Sequence, residues 1–314
     1  MRKDVLIVGS GPMSEAYLAV LKDFDVNIIV VGRGEKSADF FYEKTGVRPI
    51  TGGLEDYLQN NLIKEGAYTI IATGTEGLMP SLKMLIGAGA KNILIEKPAA
   101  ISIQELTENE PFLINSNANI FVAYNRRFYA SVLETKNLIR EDGGLRSMHF
   151  EFTEWAHTIQ DIQKAEGVKE NLFFANSTHV VDLAFFIAGS PIELSCYSIG
   201  GNIKWHKKTN YTGAGITSQG VLFSYISNWE SAGRWALELL TEKRRIYLKP
   251  LEDIQIQLKG SVQLNKHEFD NSLDVKYKPG LYLQVKNFLE GGDQLLQIKE
   301  HVWNSKNIYA KILL

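Results

Sequence analysis

The sequence predicts an α/β protein whose amino-terminal domain is a doubly wound parallel sheet and whose second domain is α+β, with a large, mostly antiparallel open sheet. Up to about residue 124, short apolar runs alternate with segments whose apolar residues recur at helical spacing. From Met148 onward, apolar and polar residues alternate in several runs, as in half-buried strands. We therefore divide the 314 residues into domains 1–124 and 125–314, with a last helix that could pack back on the first domain.

Composition and charge exclude several classes of function. The chain has 34 Lys and Arg against 36 Asp and Glu, so charge favours neither nucleic acid nor an anionic membrane as a partner. The sequence has no apolar run of about 18 residues, so we expect no membrane span. Cys196 is the single cysteine, which leaves no cysteine cluster for a metal and is typical of a reducing compartment. We expect a cytoplasmic protein that binds a small-molecule substrate and no metal.

The first strand, Asp4 to Val8, runs directly into the glycine turn Gly9-Ser10-Gly11-Pro12-Met13. The apolar face of a following helix is formed by Met13, Ala16, Tyr17, Val20 and Leu21. Glycines between a strand and a helix let a pyrophosphate approach the backbone at the helix amino terminus. The glycines alone would equally suit an ordinary turn, but the strand and helix around them favour a dinucleotide site.

The end of the second strand bears on the choice of dinucleotide. Asn27 to Val31 runs into Gly32, where NAD-preferring sites place an Asp or Glu that binds the ribose 2′-hydroxyl. Arg33, Lys36 and Ser37 follow, and these side chains could bind a 2′-phosphate. We therefore expect NADP(H) in preference to NAD(H). The alternative is a loop whose charges merely face water.

Strand and helix patterns continue to alternate through the rest of the first domain. Helices are predicted at 37–44, 54–62 and 78–86, and strands at 47–50, 68–72, 92–95 and 119–123. Ala72-Thr73-Gly74-Thr75 stands at the end of the fourth strand, and Glu96-Lys97-Pro98 at the end of the fifth. Ligands of open α/β sheets bind outside the carboxyl ends of the strands, so we expect both segments to contact the cofactor.

The second domain has a different rhythm. Strands are predicted at 148–152, 193–199, 221–229, 235–239, 244–249 and 253–258, and helices at 128–140, 282–289 and 302–314. His179 and Asp182 stand three apart on one further helical stripe, where the carboxylate could orient the imidazole. A histidine near a helix start is more often structural than catalytic when nothing else is known.

Five segments occur in an order and spacing that resemble the Gfo/Idh/MocA oxidoreductases, a family of NAD(P)-dependent sugar, inositol and related dehydrogenases. They are Gly9-x-Gly11, Ala72-Thr73-Gly74-Thr75, Glu96-Lys97-Pro98, Tyr124-Asn125-Arg126-Arg127-Phe128 and His179-x-x-Asp182. The resemblance covers most of the chain and is strongest up to about residue 190. It implies a Rossmann domain followed by a substrate domain whose sheet supports homodimers or homotetramers.

The resemblance also implies roles for individual residues. Lys97 would hold the reacting oxygen and share its proton, and His179 would be the acid/base or its close partner. The Lys97–Pro98 peptide is expected to be cis. Candidate substrate-binding residues are Asn125, Arg126, Asn176, Asp182 and the aromatic Trp155, which could stack on a sugar face. The expected reaction moves a hydride between NADP(H) and a secondary alcohol or carbonyl of a sugar, an inositol or a nucleotide-sugar-like substrate.

The sequence departs from the family pattern just before the His179-x-x-Asp182 segment. Ala175 stands where an aspartate is usual, four residues before the histidine, so the usual Lys, Asp and His set is incomplete. Asn176 could orient substrate but cannot take a proton at neutral pH. Gly74 also replaces a usual proline. Two alternatives therefore stay open: a non-catalytic NADP-binding sensor on the same scaffold, and a reductase of a non-sugar carbonyl or imine.

Overall fold

The computed structural model describes residues 2–314; Met1, with which the predicted first domain begins, lies outside the described residues. The chain forms two compact units. The first unit comprises the residues up to Tyr124 together with Lys276–Trp303, and the second comprises Asn125–Val275 together with Asn304–Leu314. Each unit contains one sheet, and the predicted fold class is confirmed.

The first unit is built on a six-stranded sheet with helices between its strands. Numbered along the whole chain, its strands are β1 Lys3–Val8, β2 Val26–Val31, β3 Tyr68–Ile71, β4 Asn92–Ile95, β5 Asn119–Val122 and β14 Leu296–Gln297. Their order across the sheet is β14-β5-β4-β3-β1-β2. The helices are α1 Pro12–Leu21, α2 Glu35–Thr45, α3 Gly53–Asn60, α4 Thr75–Gly87, α5 Ile103–Glu108, α6 Glu110–Ile114, α11 Leu281–Glu290 and α12 Ile298–Asn304, whose last residue belongs to the second unit.

The strand order predicts a crevice at the carboxyl ends of the strands in this sheet. β1 to β5 are mutually parallel, and the chain order reverses between β1 and β3, which are neighbours. Connections from the two strands therefore leave in opposite directions, and a crevice opens outside their carboxyl ends. The predicted cofactor segments stand at these ends.

The prediction of a third strand at 47–50 is wrong. Ile50 makes only an isolated parallel bridge to Val31, with Ile50 N donating to Val30 O and Gly32 N donating to Ile50 O, both at 2.8 Å. Pro49 has no N–H to donate, and Gly52, at φ +96°, turns the chain away. The sixth strand is instead β14, which pairs antiparallel with β5, so the strand before Lys97 is the fourth of the parallel set.

The segment Lys276–Trp303 also differs from the sequence-based division, which left it in the second domain. It belongs to the first unit because α11 packs on α1. The buried face of α11 includes Leu281, Val285 and Phe288, and the Phe288 ring meets Tyr68 edge-on with centroids 5.2 Å apart. The final residues Asn304–Leu314, by contrast, belong to the second unit.

The second unit is built on an eight-stranded sheet. Its strands are β6 Ser147–Glu151, β7 Pro191–Ile199, β8 Asn210–Thr217, β9 Leu222–Asn228, β10 Ala236–Leu240, β11 Arg244–Leu248, β12 Gln255–Leu258 and β13 Leu264–Lys266, in the order β13-β12-β11-β10-β6-β9-β8-β7. β6 and β9 run parallel, and all the other neighbours are antiparallel. All six strands predicted for this domain are present, as β6, β7, β9, β10, β11 and β12, but β8 and β13 were not predicted.

The strand β8 escapes sequence reasoning because two glycines interrupt its apolar alternation. A Cβ on Gly213 would lie 2.5 Å from the Tyr225 ring, and one on Gly215 would lie 1.9 Å from Glu193 O. The neighbouring strands therefore approach where only glycine fits. The sequence pattern therefore predicts a loop, although β8 is an interior strand paired with β7 and β9.

The helices of this unit are α7 Ala130–Glu141, α8 Ala156–Ile159, α9 Thr178–Ala188, α10 Ser272–Lys276, whose last residue belongs to the first unit, and α13 Ala310–Leu313, with a 3₁₀ turn at Asn125–Phe128 and π-helical turns at Phe173–Ser177 and Ser305–Tyr309. Of these, α9 packs on β6 and α13 on β7. Fully buried Phe150 contacts the rings of Phe185, Phe223 and Tyr225, which joins α9 to the sheet. Throughout residues 2–314, each helix is too short or too polar to cross a lipid bilayer.

Candidate functional site

The turn between β1 and α1 is shaped by a close backbone approach. Gly9 has φ +119°, and a Cβ there would lie 2.4 Å from Ala72 O at the end of β3. Any other residue would have to push these strand ends apart. Ser14, in the first turn of α1, is buried, and its hydroxyl lies 3.5 Å from the same carbonyl.

The amino terminus of α1 is open to an anion. Gly11 is the residue before the helix and supplies no capping side chain, and a Cβ on it would meet nothing within 4 Å. Pro12 occupies the first helical position, which its fixed φ favours. Uncapped N–H groups and the helix dipole at this end suit a pyrophosphate.

A cavity of about 460 Å³ lies in front of this turn. Its volume is within the range of small-molecule sites. The predicted cofactor residues that line it are Gly9, Ser10, Gly11, Gly32, Arg33, Ser37, Ala72, Thr73 and Gly74. Pro12, Met13, Lys36, Thr75, Glu96 and Lys97 do not line it.

Sequence reasoning missed other residues that line the same cavity. They are Gly52, Gly53, Leu54, Glu55, Gly77, Pro80, Ser81 and Met84. The segment Gly52–Glu55 comes close to β2 because of the bridge at Ile50, which the sequence pattern represented as a full strand. The Gly52-Gly53 pair was the one available signal for a close approach here.

A side chain at the end of β2 would require Ser10 to move. A Cβ on Gly32 would lie 2.6 Å from Ser10 Oγ. Ser10 Oγ donates to Ser37 Oγ at 3.2 Å, and Ser37 Oγ donates to Gly34 O at 2.9 Å. Arg33 is exposed and, among residues 2–314, has no carboxylate within 4 Å, whereas nearby Glu35 pairs with Arg48. Arg33 thus offers an accessible positive charge at this strand end, while the exposed carboxylate of Glu55 lines the same cavity.

Lys97 is held in a tight turn at the end of β4. The Lys97–Pro98 peptide is cis, as expected, and Ala99 N donates to Glu96 O at 3.0 Å, which closes a four-residue turn with the proline in third place. Glu96 N donates to Ile71 O at 2.9 Å on one side of the turn, and Pro98 O hydrogen-bonds His301 Nε2 at 2.9 Å on the other. The half-buried lysine thus extends from a backbone fixed at both ends.

Glu96 is the carboxylate beside this lysine. Its Oε1 accepts a hydrogen bond of 2.7 Å from the hydroxyl of buried Tyr17 on α1, which also lies 3.3 Å from Gln284 Oε1 on α11. Removal from water raises the pKa of Glu96, and the Tyr17 bond and the Lys97 charge oppose that rise. The same burial, with the Glu96 charge nearby, raises the pKa of Tyr17, so the phenol remains a donor.

In the second unit, a fully buried carboxylate anchors the segment before His179. Glu154 follows β6 and is 0% exposed. Its oxygens accept from Asn176 Nδ2 at 3.0 and 3.1 Å, from Ser177 Oγ at 2.8 Å and from Arg234 Nη1 at 3.2 Å. Burial raises the pKa of Glu154, and these donors oppose the rise. Asn176, predicted to bind substrate, is therefore held by this carboxylate.

His179 lies in the first turn of α9 and is buried. Its ring centroid is 5.8 Å from that of Trp235, at an interplanar angle of 50°. Asp182, predicted to orient the imidazole, accepts instead from Arg127, with Nε at 2.8 Å and Nη2 at 2.6 Å. This buried pair ties the 3₁₀ turn to α9.

The remaining predicted substrate residues are distributed around the same unit. Buried Asn125 accepts a 3.3 Å bond from Arg126 Nη1. Trp155 is about half exposed, and its Nε1 donates to Gly233 O at 2.9 Å. Lys97 belongs to the first unit and His179 to the second. Within residues 2–314, no three His, Cys, Asp or Glu side chains are arranged to hold a metal ion.

Several solved structures share this fold along the whole chain. An oxidoreductase from Agrobacterium radiobacter, in complex with NAD+, L-tartaric acid and magnesium, aligns with a TM-score of 0.77 at 13% identity, over 99% of this chain and 96% of that one. Levoglucosan dehydrogenase in complex with NADH aligns with a TM-score of 0.78 at 15% identity, over 99% and 97%. UDP-N-acetylglucosamine 3-dehydrogenase GnnA from Acidithiobacillus ferrooxidans gives 0.72 at 12% identity, over 100% of both chains.

At these identities the likeness shows a common fold and leaves the chemistry to the site residues. No protein-family model matches the sequence, and a search of the curated proteins returns no match.

The raised pKa of Glu154 predicts a pH dependence of stability. Between its ordinary value of 4.5 and the higher value in the folded state, the folded protein binds more protons than the unfolded chain. The free energy of unfolding of the wild type, minus that of Glu154→Gln, should therefore fall as pH rises through this window. Urea denaturation from pH 4 to pH 8 measures the difference.

The matched control is Glu230→Gln, because a backbone N–H bond from Asn202 lowers the pKa of Glu230. The free energy of unfolding of the wild type, minus that of Glu230→Gln, should rise with pH. The stabilisation by the Glu230 carboxylate should be lost as pH falls. A Glu154 difference that is flat or rises with pH would contradict the assignment.

Proposed function

We propose that this chain is an NADP(H)-dependent oxidoreductase of the Gfo/Idh/MocA family. It would transfer a hydride between the nicotinamide and a secondary alcohol or carbonyl of a sugar, an inositol or a nucleotide-sugar-like substrate. The observation that carries the proposal is the cavity in front of the Gly9–Gly11 turn and the uncapped end of α1. In the same unit, β4 ends two residues before Lys97. The NADH-bound levoglucosan dehydrogenase with the same fold supports the class of reaction.

The cofactor residues would divide the dinucleotide between them. Gly9, Ser10 and Gly11, with Pro12 and Met13 at the start of α1, would bind the pyrophosphate. Arg33, Lys36 and Ser37 would bind a 2′-phosphate, for which Gly32 leaves no competing carboxylate. The residues left for the nicotinamide half are Ala72, Thr73, Gly74, Thr75 and Glu96. The bound nicotinamide supplies or accepts the hydride.

Lys97 would handle the proton. A secondary alcohol is a weak acid, so its oxidation needs a base beside the hydroxyl. The Lys97 amine would take the hydroxyl proton during oxidation, and its ammonium would return a proton during reduction. The turn that contains Lys97 is hydrogen-bonded on both sides. This supports the role, because a reacting group must be held in place. Glu96, next to it, would stabilise the ammonium form.

His179 would relay protons with solvent during the reaction. Ala175 supplies no acid to help it. Glu154 anchors Asn176 and Ser177, the two residues that lead into α9, and so supports the position of His179. Asn125, Arg126, Asn176, Asp182 and Trp155 remain the proposed substrate-binding set, with Asp182 acting through its pair with Arg127.

We also propose a homodimer or homotetramer formed through the second sheet. Tyr197 on β7 and Ile226 on β9 stand in one cross-strand row with Thr212 of β8 between them, so they share a face. Ile199 and Leu222 lie on that same face, and all four apolar side chains are exposed. Contiguous exposed apolar side chains of this kind favour a protein partner.

The second candidate function is a non-catalytic sensor that binds NADP(H) on the same scaffold. Ala175 favours it, because the usual acid is absent and Glu154, the carboxylate near that position, is completely buried. A sensor would keep the cavity of the first unit and would have no need of Lys97.

Replacing Lys97 by Met should abolish turnover while NADPH affinity stays nearly unchanged, because the amine is needed for the proton and not for the dinucleotide. Turnover is measured as NADP(H)-linked absorbance across sugars, inositols and nucleotide sugars, and affinity by calorimetry. Lys91→Met, an exposed lysine before β4, is the control and should retain turnover. Undiminished turnover in Lys97→Met would refute the role, and tight NADPH binding without turnover in the wild type would favour the sensor.

Replacing Arg33 by Ser should reduce discrimination between the two dinucleotides. Loss of a charged contact costs about 1.5–3 kcal/mol, so kcat/KM for NADPH should fall about 10- to 100-fold, with a change below about 3-fold for NADH. Lys36→Ser should have a smaller effect, because Lys36 does not line the cavity. Lys83→Ala on the exposed face of α4 serves as the control. Equal losses for both cofactors would rule out a 2′-phosphate contact at Arg33.

A further inference from the structure

Arg126, in the second unit, makes few hydrogen bonds for a charged side chain. Arg126 Nη1 donates to Asn125 Oδ1 at 3.3 Å, and Arg126 Nε is buried without a hydrogen-bond partner. A guanidinium has five N–H donors, so most of its capacity is unused within the described chain. Burial, the largest influence, lowers the pKa of Arg126. A cation with a buried N–H group that lacks an acceptor is costly unless something pairs with it.

The carboxylates nearest to Arg126 are paired with other residues or exposed to water. Within residues 2–314, Arg126 has no carboxylate within 4 Å, and the buried Glu154 pairs with Arg234 and with Asn176 and Ser177. Glu154 and Glu252 influence Arg126 only from a greater distance. Glu252 is exposed, so water screens its charge. The Arg126 charge is therefore not neutralised locally.

A tryptophan positions two guanidinium groups. The Cζ atoms of Arg126 and Arg234 each lie 4.6 Å from the Trp235 ring centroid, and Arg234 Cζ also lies 4.7 Å from that of Trp155. Stacking on the ring face limits the motion of both groups. Two guanidinium groups and one buried carboxylate, Glu154, leave this cluster with one positive charge in excess.

We propose that Arg126 binds a carboxylate of the substrate, so that the substrate is a sugar acid and not a neutral sugar. This inference rests on the proposed function and names the substrate class of that site. The planar guanidinium matches the two oxygens of a carboxylate through parallel N–H bonds. One carboxylate also balances the excess charge of the cluster.

A phosphate monoester is a poorer match. It carries about −1.5 to −2 charge near neutral pH, which would leave negative charge uncompensated beside Glu154. The cluster also offers no third cation, because Arg234 is already paired with Glu154. The charge balance therefore favours a singly charged carboxylate over a sugar phosphate.

The test compares sugars that differ only in the anionic group. The probes are D-glucuronate, D-galacturonate and D-mannuronate, each beside its neutral parent sugar and the corresponding 6-phosphate, titrated by calorimetry into the wild type with NADPH present. At least one acid should bind about 10- to 100-fold more tightly than its neutral parent, as expected for charged hydrogen bonds. Arg126→Met should remove that difference, because its loss of affinity for the acid should be about 10- to 100-fold larger than its loss for the neutral sugar.

Two further variants separate charge, geometry and folding. Arg126→Lys keeps the charge but loses the planar fork, so it should restore only part of the preference for the acid. Arg146→Met removes an exposed arginine from the same unit and should leave the preference intact. Thermal unfolding of each variant shows whether it remains folded, and Arg126→Lys keeps the test valid if Arg126→Met does not fold.

The outcomes distinguish this inference from the proposed function. Binding of an acid that depends on Arg126, without NADP(H)-linked turnover, would support the anion site and count against the dehydrogenase. Turnover of neutral sugars with no preference for acids would overturn the anion site and leave the dehydrogenase standing. Preference for the 6-phosphates, equal losses for acid and neutral sugar in Arg126→Met, or no binding of any acid at millimolar concentration would also overturn it.

Discussion

The close approach of Gly9 to Ala72 is the constraint on which the first unit depends. With φ at +119° and space for hydrogen only, Gly9 lets the turn after β1 pack against the end of β3. Gly11 then faces open space, and α1 begins with uncapped N–H groups. The cavity exists because the two neighbouring strands send their connections in opposite directions at this point. The proposed dinucleotide site and the proposed preference for a 2′-phosphate both presuppose this geometry.

Each unit also places a carboxyl group of raised pKa beside a residue proposed to handle protons. Glu96 precedes Lys97 and accepts from Tyr17, and Glu154 accepts from Asn176 and Ser177 just before α9. Burial without donors would be costly, and the hydrogen bonds offset that cost while fixing the backbone nearby. The polar groups near Lys97 and near the start of α9 are therefore held in position by the fold, which would limit the reorganisation that the proposed reaction requires.

Local patterns predicted the parts of the fold that depend on local sequence. Buried strands such as Asn92–Ile95, and the glycine turn before α1, follow from periodicity and backbone freedom. The pairing of β14 with β5 and the contacts of Glu154 join residues far apart in sequence, so no spacing rule could predict them. Asp182 shows that a local pattern can also mislead. Helical spacing predicted that Asp182 orients His179, but its carboxylate pairs with buried Arg127, which is far away in sequence.

The most direct test of the account is a calorimetric titration of NADPH into the wild type, Gly9→Ala and Gly87→Ala. A Cβ at position 87 meets nothing within 4 Å, so that variant controls for an added methyl group. The account predicts one NADPH per chain in the wild type and in Gly87→Ala, with affinity at least about 10-fold weaker in Gly9→Ala because the strand ends must separate. A wild type that binds no nicotinamide dinucleotide, or a Gly9→Ala variant that binds as tightly, would contradict it.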